Sequence, residues 1–150
     1  MANKYHIAQL NIGKLLHPLE HPAISGFKDN LEYINRLAEK SQGFIWRLKD
    51  DSGNATHIQA FHDPLIIVNM SVWESVEALQ SFVYLTDHKK FIQKRHLWFE
   101  KLSTPYMAMW WIPEGHIPSL EEALDRHNHL IKEGESEYAF TFRNIYFPVK

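Results

Sequence analysis

The hydrophobic period of this chain switches between two and roughly 3.6 residues, and the order of the switches admits few folds. From Tyr5 to Asn11, Tyr5, Ile7, Gln9 and Asn11 share one face and His6, Ala8 and Leu10 the other, as on a strand. After a loop with His17-Pro18 and His21-Pro22, Ile24, Phe27, Leu31, Ile34, Leu37 and Ala38 recur at helical spacing, and Gly43 closes the segment. Phe44, Trp46 and Leu48 then alternate with Ile45, Arg47 and Lys49 as a second strand. Asp50 to Asn54 are turn formers, and Ala55 to Phe61 reads as the return arm of an inserted hairpin. Leu65 to Trp73 is the most apolar strand. Ser75 offers a helix N-cap and Glu77 an acid at the positive end of the dipole, before Val76, Leu79, Phe82 and Val83 mark a buried side. Thr86 and Asp87 divide that helix from a segment striped by Phe91, Arg95, Trp98 and Leu102. Tyr106 to Ile112 is a fourth strand. Ser119 and Glu122 form a capping box for a third helix, and Tyr138 to Lys150 is an aromatic tail.

This order is the βαββαβ plan of an α+β ferredoxin-like domain, extended by a C-terminal helix and the tail, and residues 1–150 read as one domain. In the third strand Ile66, Val68, Met70 and Val72 are uniformly apolar, which assigns them to the core beneath the helices. Ile67, Asn69, Ser71 and Trp73 mix polar and aromatic groups, as a face lining a pocket or meeting a partner sheet does. With helices on one face only, a monomer would expose Trp73 and one of Trp110 or Trp111, so the pattern predicts a homodimer.

Charge narrows the partners. Lys plus Arg number 16 against 18 Asp plus Glu, a net charge of −2, and no block of basic residues provides the positive field that nucleic-acid or membrane-surface binding requires. The apolar runs fall far short of the ~20 residues of a membrane span. The start, MANKYHIAQLN, lacks the apolar stretch of a signal peptide, so the expected location is cytoplasmic. Zero cysteines excludes thiol catalysis, thiolate metal sites and disulfides together. The isolated glycines form neither a phosphate loop nor a dinucleotide fingerprint.

Val72-Trp73-Glu74-Ser75-Val76-Glu77-Ala78-Leu79, with Phe82 and His88 after it, resembles the strand-to-helix junction of dimeric α/β-barrel proteins such as antibiotic-biosynthesis monooxygenases. The chain is similar over nearly its full length to one bacterial domain-of-unknown-function family in that superfamily. The motifs are Ala8-Gln9-Leu10-Asn11, Gly43-Phe44 with Trp46-Arg47, Val68 to Ser75, Trp98-Phe99, Trp110 to Pro113 with Gly115 to Pro118, and Ala139 to Arg143. The resemblance implies two four-stranded sheets packed face to face as a dimeric barrel, each chain enclosing a cavity against its own helices or at the interface.

In the monooxygenases of that superfamily that use no cofactor, the resemblance implies that Asn69 and Trp73, four apart on one strand face, hold an aromatic substrate while oxygen reacts. An amide can donate to an oxyanion, and an indole offers a flat wall and one N–H. The alternative is that Trp73 plugs the barrel and Asn69 satisfies backbone groups at its edge. Asn11 and Ser71 share that face, and His88 and Arg47 complete the expected substrate-binding set. Arg47, like Arg143 in the tail, could clamp a carboxylate or pair internally. Among ten histidines, His17 with His21 and His127 with His129 make poor chelates, so no metal site is expected. His88 and His96, about two helical turns apart, raise haem as an alternative. The sequence therefore leaves open a cofactor-free oxidative or isomerising enzyme on a small aromatic or polyketide-like molecule, and a non-catalytic ligand- or haem-binding module.

Overall fold

The computed structural model describes residues 4–49, 61 and 63–148. Its elements are β1 (Tyr5–Lys14), α1 (Ser25–Lys40), β2 (Phe44–Arg47), β3 (Ile66–Trp73), α2 (Val76–Leu85), α3 (His88–Gln93), β4 (Met107–Pro113) and α4 (Leu120–Glu133). The strands form one antiparallel sheet in the order β2-β3-β1-β4. That order interleaves two split βαβ units, the ferredoxin-like arrangement read from the periodicity. The return arm expected over Ala55 to Phe61 lies, except for Phe61, outside the described residues.

Local chemistry ends the elements where the sequence places the signals. Ser75 Oγ accepts from Ala78 N at 3.1 Å to start α2, and Ser119 Oγ accepts from Glu122 N at 3.0 Å to start α4. Thr86 is extended and its Oγ1 accepts from His88 N at 3.2 Å, so the second helical region is broken into α2 and α3. The tail packs along the edge of the sheet: Phe140 pairs with Met109, and Trp111 Nε1 donates to Tyr146 O at 2.7 Å.

The two sheet faces are the reverse of the expected ones. Ile34, Leu37 and Ala38 of α1 and Val76, Leu79 and Phe82 of α2 pack on Ile7, Trp73 and Met109. The crossover helices therefore cover the face that carries Asn69, Ser71 and Trp73. Val68, Met70 and Val72 point the other way, with Ala8, Leu10, Trp110 and Ile112, and Leu120, Ala123 and Leu124 of α4 pack against them. Strand periodicity separates two faces without saying which one the crossovers take. The uniformly apolar set is as well buried under the added α4 as it would be under α1 and α2.

This arrangement removes the argument by which a dimer was inferred. Trp73 and Trp110 are both fully buried within one chain, on opposite faces. A second departure lies in β2, where an irregularity between Phe44 and Trp46 shifts the register. Phe44 therefore packs with Trp73 and Trp46 with Val72, although alternation put both on one face. Among the described residues no helix is long and apolar enough to cross a membrane.

Candidate functional site

A cavity of about 240 Å³ lies between the covered sheet face and α1, α2 and α3. Its floor is built by register: Gln9 stands opposite Ser71, Asn11 opposite Asn69 and Ile7 opposite Trp73. Side chains directly opposite on neighbouring strands are close enough to bond one another. Gln9 Nε2 donates to Asn69 Oδ1 at 2.9 Å and to Ser71 Oγ at 2.8 Å, and Trp73 Nε1 donates to the same Ser71 Oγ at 2.8 Å. Trp73, Ser71 and Gln9 are buried whereas Asn69 is exposed, so the polar chain runs from a dry end to an open mouth. Asn69 Oδ1 is engaged by Gln9. Its Nδ2 has no acceptor among the described residues and stands at the mouth as a donor.

The walls mix aromatic and aliphatic side chains. The Trp73 ring meets Phe44 edge-on at 5.4 Å and stacks on Phe82 at 5.1 Å, and the His88 ring follows at 4.8 Å from Phe82. His88 Nδ1 lies 3.3 Å from Val83 O. A carbonyl can only accept, so Nδ1 carries the proton and Nε2 the lone pair. Burial pushes the His88 pKa below its ordinary 6.5, against a smaller opposing effect of that carbonyl, and the ring is held neutral near pH 7.

Two guanidiniums reach the cavity, and among the described residues that line it none is an Asp or Glu. Arg47 is neutralised from behind by Glu39, with Nε 3.6 Å from the carboxylate, and this Nε is buried without a hydrogen bond. Arg95 lies over the Tyr106 ring at 4.3 Å and near Phe99 at 5.2 Å. It forms no ion pair among the described residues.

Asn11, Arg47, Asn69, Ser71, Trp73 and His88 thus line a single cavity. Trp73 and Ser71 also form part of the core, so the two readings of Trp73, wall and plug, coincide in one side chain. His96 departs from expectation. α3 ends at Gln93, His96 sits on the separate turn Arg95–Leu97, and its side chain is exposed rather than aligned with His88. Arg143 is exposed and does not line the cavity. His17 stacks on His21 at 4.2 Å, and buried His127 bonds Pro105 O at 2.8 Å. Among the described residues no group of three or more His, Asp or Glu is placed to hold a metal ion. Gln9 and Arg95 were not singled out as site residues. Gln9 was visible as the polar member between Ile7 and Asn11 on the mixed face, but Arg95 was absorbed in the helical stripe with Phe91 and Trp98.

A family model for a domain of unknown function, DUF3291, matches residues 6–150, and the chain belongs to that family. No curated protein matches it. Among solved structures, it is similar to a protein of unknown function from Nitrosomonas europaea at 10% identity and a TM-score of 0.48, covering 79% of this chain and 99% of the other. It is similar to a second Nitrosomonas europaea protein, assigned as an antibiotic biosynthesis monooxygenase, at 8% identity and a TM-score of 0.47, covering 78% of this chain and 94% of that one. A Chloroflexus aurantiacus protein assigned in the same way is similar at 15% identity and a TM-score of 0.42, covering 77% of this chain and 98% of that one.

Proposed function

We propose that the protein binds a small aromatic or polyketide-like molecule in the cavity between its sheet and α1 to α3, and acts on it as an enzyme without a bound cofactor, in an oxidative or isomerising reaction. The observation that carries this reading is Asn69 Nδ2, without an acceptor among the described residues, at the mouth of a cavity walled by aromatic and aliphatic side chains. Its volume of about 240 Å³ exceeds the ~150 Å³ that accepts a single benzene ring, and so suits one or two rings. Both reaction classes begin with loss of a proton from an acidic O–H or C–H. His88 Nε2 is the acceptor this cavity offers, and Asn69 Nδ2 is the donor for the oxyanion left behind. In the oxidative case dioxygen then takes its electrons from that anion, converting a CH2 to a carbonyl and releasing water. Haem is the weaker alternative, because a tetrapyrrole has four rings to seat beside His88 in a cavity of this size.

The test combines mass spectrometry of what copurifies with oxygen uptake or isomerisation assays on hydroxylated aromatic compounds. Asn69→Ala is expected to cost about 1 kcal/mol of stability, the bond that Gln9 Nε2 loses, and to lower turnover by roughly a hundredfold. A stability loss of about 1–3 kcal/mol with unaltered turnover would make Asn69 a structural residue and overturn the enzymatic role.

A further inference from the structure

Arg95 is the group that the proposed reaction leaves unused. It sits at the end of the cavity opposite Trp73, where its Nη2 reaches Ile12 O at 3.5 Å, the sole protein hydrogen bond of its guanidinium among the described residues. A guanidinium has five N–H donors in one plane, so most of these are unmatched. Tyr106 and Phe99 lie within cation–π range of the group. Such stacking occupies a face and leaves the in-plane edge free for a hydrogen-bonding partner. The charge is half-buried, and desolvation lowers its pKa from the ordinary value. Arg47, the other cation of the cavity, already has Glu39. A partly desolvated cation with open donors, facing a cavity that no carboxylate of the described residues lines, is matched electrostatically by a ligand that brings its own.

We infer that the ligand of this cavity is a planar organic carboxylate, its carboxylate bound in the plane of Arg95 and its ring system lying toward Phe91 and Trp98. These two rings, stacked 6.1 Å apart and 29° from parallel, line the same cavity as Arg95. The inference rests on the small-molecule reading above and narrows it to anionic substrates. It also gives the ligand a direction. With the carboxylate at Arg95, at the same end of the sheet as Asn11 and Asn69, the remainder extends along β1 and β3 toward Ser71, Trp73 and His88.

The experiment is calorimetric titration of the full chain with benzoate and 2-naphthoate, each against its neutral carboxamide. The acids are expected to bind roughly tenfold or more tightly than the amides, the effect of a charge-assisted bidentate pair. Arg95→Gln should abolish that preference, Arg95→Lys restore part of it, and Arg143→Gln, on the surface, leave it intact. Equal affinity of acid and amide in the unaltered protein overturns the inference while the small-molecule reading stands. If neither acid nor amide binds, both fail. The comparison of acid with amide needs no variant, so a misfolded Arg95→Gln protein does not remove the test.

Discussion

Removing the Ser71 hydroxyl is expected to destabilise the protein out of proportion to its size. Ser71 Oγ is the acceptor for two donors, Gln9 Nε2 and Trp73 Nε1, each at 2.8 Å. Trp73 has no exposed surface, so in Ser71→Ala its N–H has neither protein nor water to turn to, at a cost of about 1–3 kcal/mol. Gln9 keeps its bond to Asn69 at 2.9 Å and loses one of two, adding about 1 kcal/mol. The sum, about 2–4 kcal/mol, is a large share of the ~5–15 kcal/mol that holds a domain folded. With a urea slope of ~2 kcal/mol per molar, the unfolding midpoint should fall by about 1–2 M. A double-mutant cycle separates the parts. Trp73→Phe removes the indole donor, and in that background Ser71→Ala should cost only the Gln9 share, about 1 kcal/mol, a coupling of roughly 1–3 kcal/mol. Equal costs in both backgrounds, or a single-variant loss below about 0.5 kcal/mol, would refute the argument that Ser71 is the acceptor joining floor and wall.

Gly43→Ala should cost about 3 kcal/mol or more by thermal melting, combining left-handed backbone strain at φ +86° with a Cβ placed 2.5 Å from that of Ala78. Adding Ala78→Gly should recover the steric part only, and full recovery would show that the backbone carries no strain there. His88, half-buried and neutral, has a folded pKa below the 6.5 of its ordinary value, so the unfolded chain binds the extra proton first. Its contribution to stability is then complete above pH 6.5 and is lost as pH falls toward the folded value, at up to about 1.4 kcal/mol per pH unit. His88→Gln should flatten that part of the denaturation profile, and an unchanged slope would contradict the burial argument.

The elements were legible because each carries its own punctuation: Ser75 and Ser119 at helix starts, Thr86 between two helices, period two in β1, β3 and β4. The site face was legible for the same reason, since alternation alone places Asn69, Ser71 and Trp73 together and Gln9 with Asn11. Two things were not. The face that α1 and α2 cover depends on the path of the crossovers, which no strand pattern records, and the apolar set Val68, Met70 and Val72 was attributed to them when it packs with α4. Pairwise chemistry depends on register. That Gln9 meets Ser71, rather than a neighbour two residues along, follows from the antiparallel alignment of β1 with β3, and without it Gln9 is only one polar residue in a strand. Arg95 was hidden for a different reason. Its helical stripe marks the side that faces the protein, and a cavity inside that side leaves the same pattern as a packed core.

The reversed faces also decide which elements of the chain enclose the cavity. A ferredoxin-like sheet covered by helices on one side can close its other face with a second sheet, and a cavity is then shared or shaped by the partner. Here α4 occupies that place, anchored where Trp110 Nε1 donates to Glu122 Oε2 at 2.8 Å. The cavity is instead enclosed by helices of its own chain, and its polar floor is tied to its aromatic wall through Ser71. Polar groups buried beneath helices cost stability unless they bond one another. Gln9, Ser71 and Trp73 do so, whereas among the described residues Asn69 Nδ2 and Arg95 remain available, both at the end away from Trp73. The α4 face also buries polar groups, His6 and His127, but His127 is spent on Pro105 O at 2.8 Å. On the cavity side of the sheet the buried polar side chains Gln9, Asn35 and Ser71 all line the cavity, where a ligand would meet them.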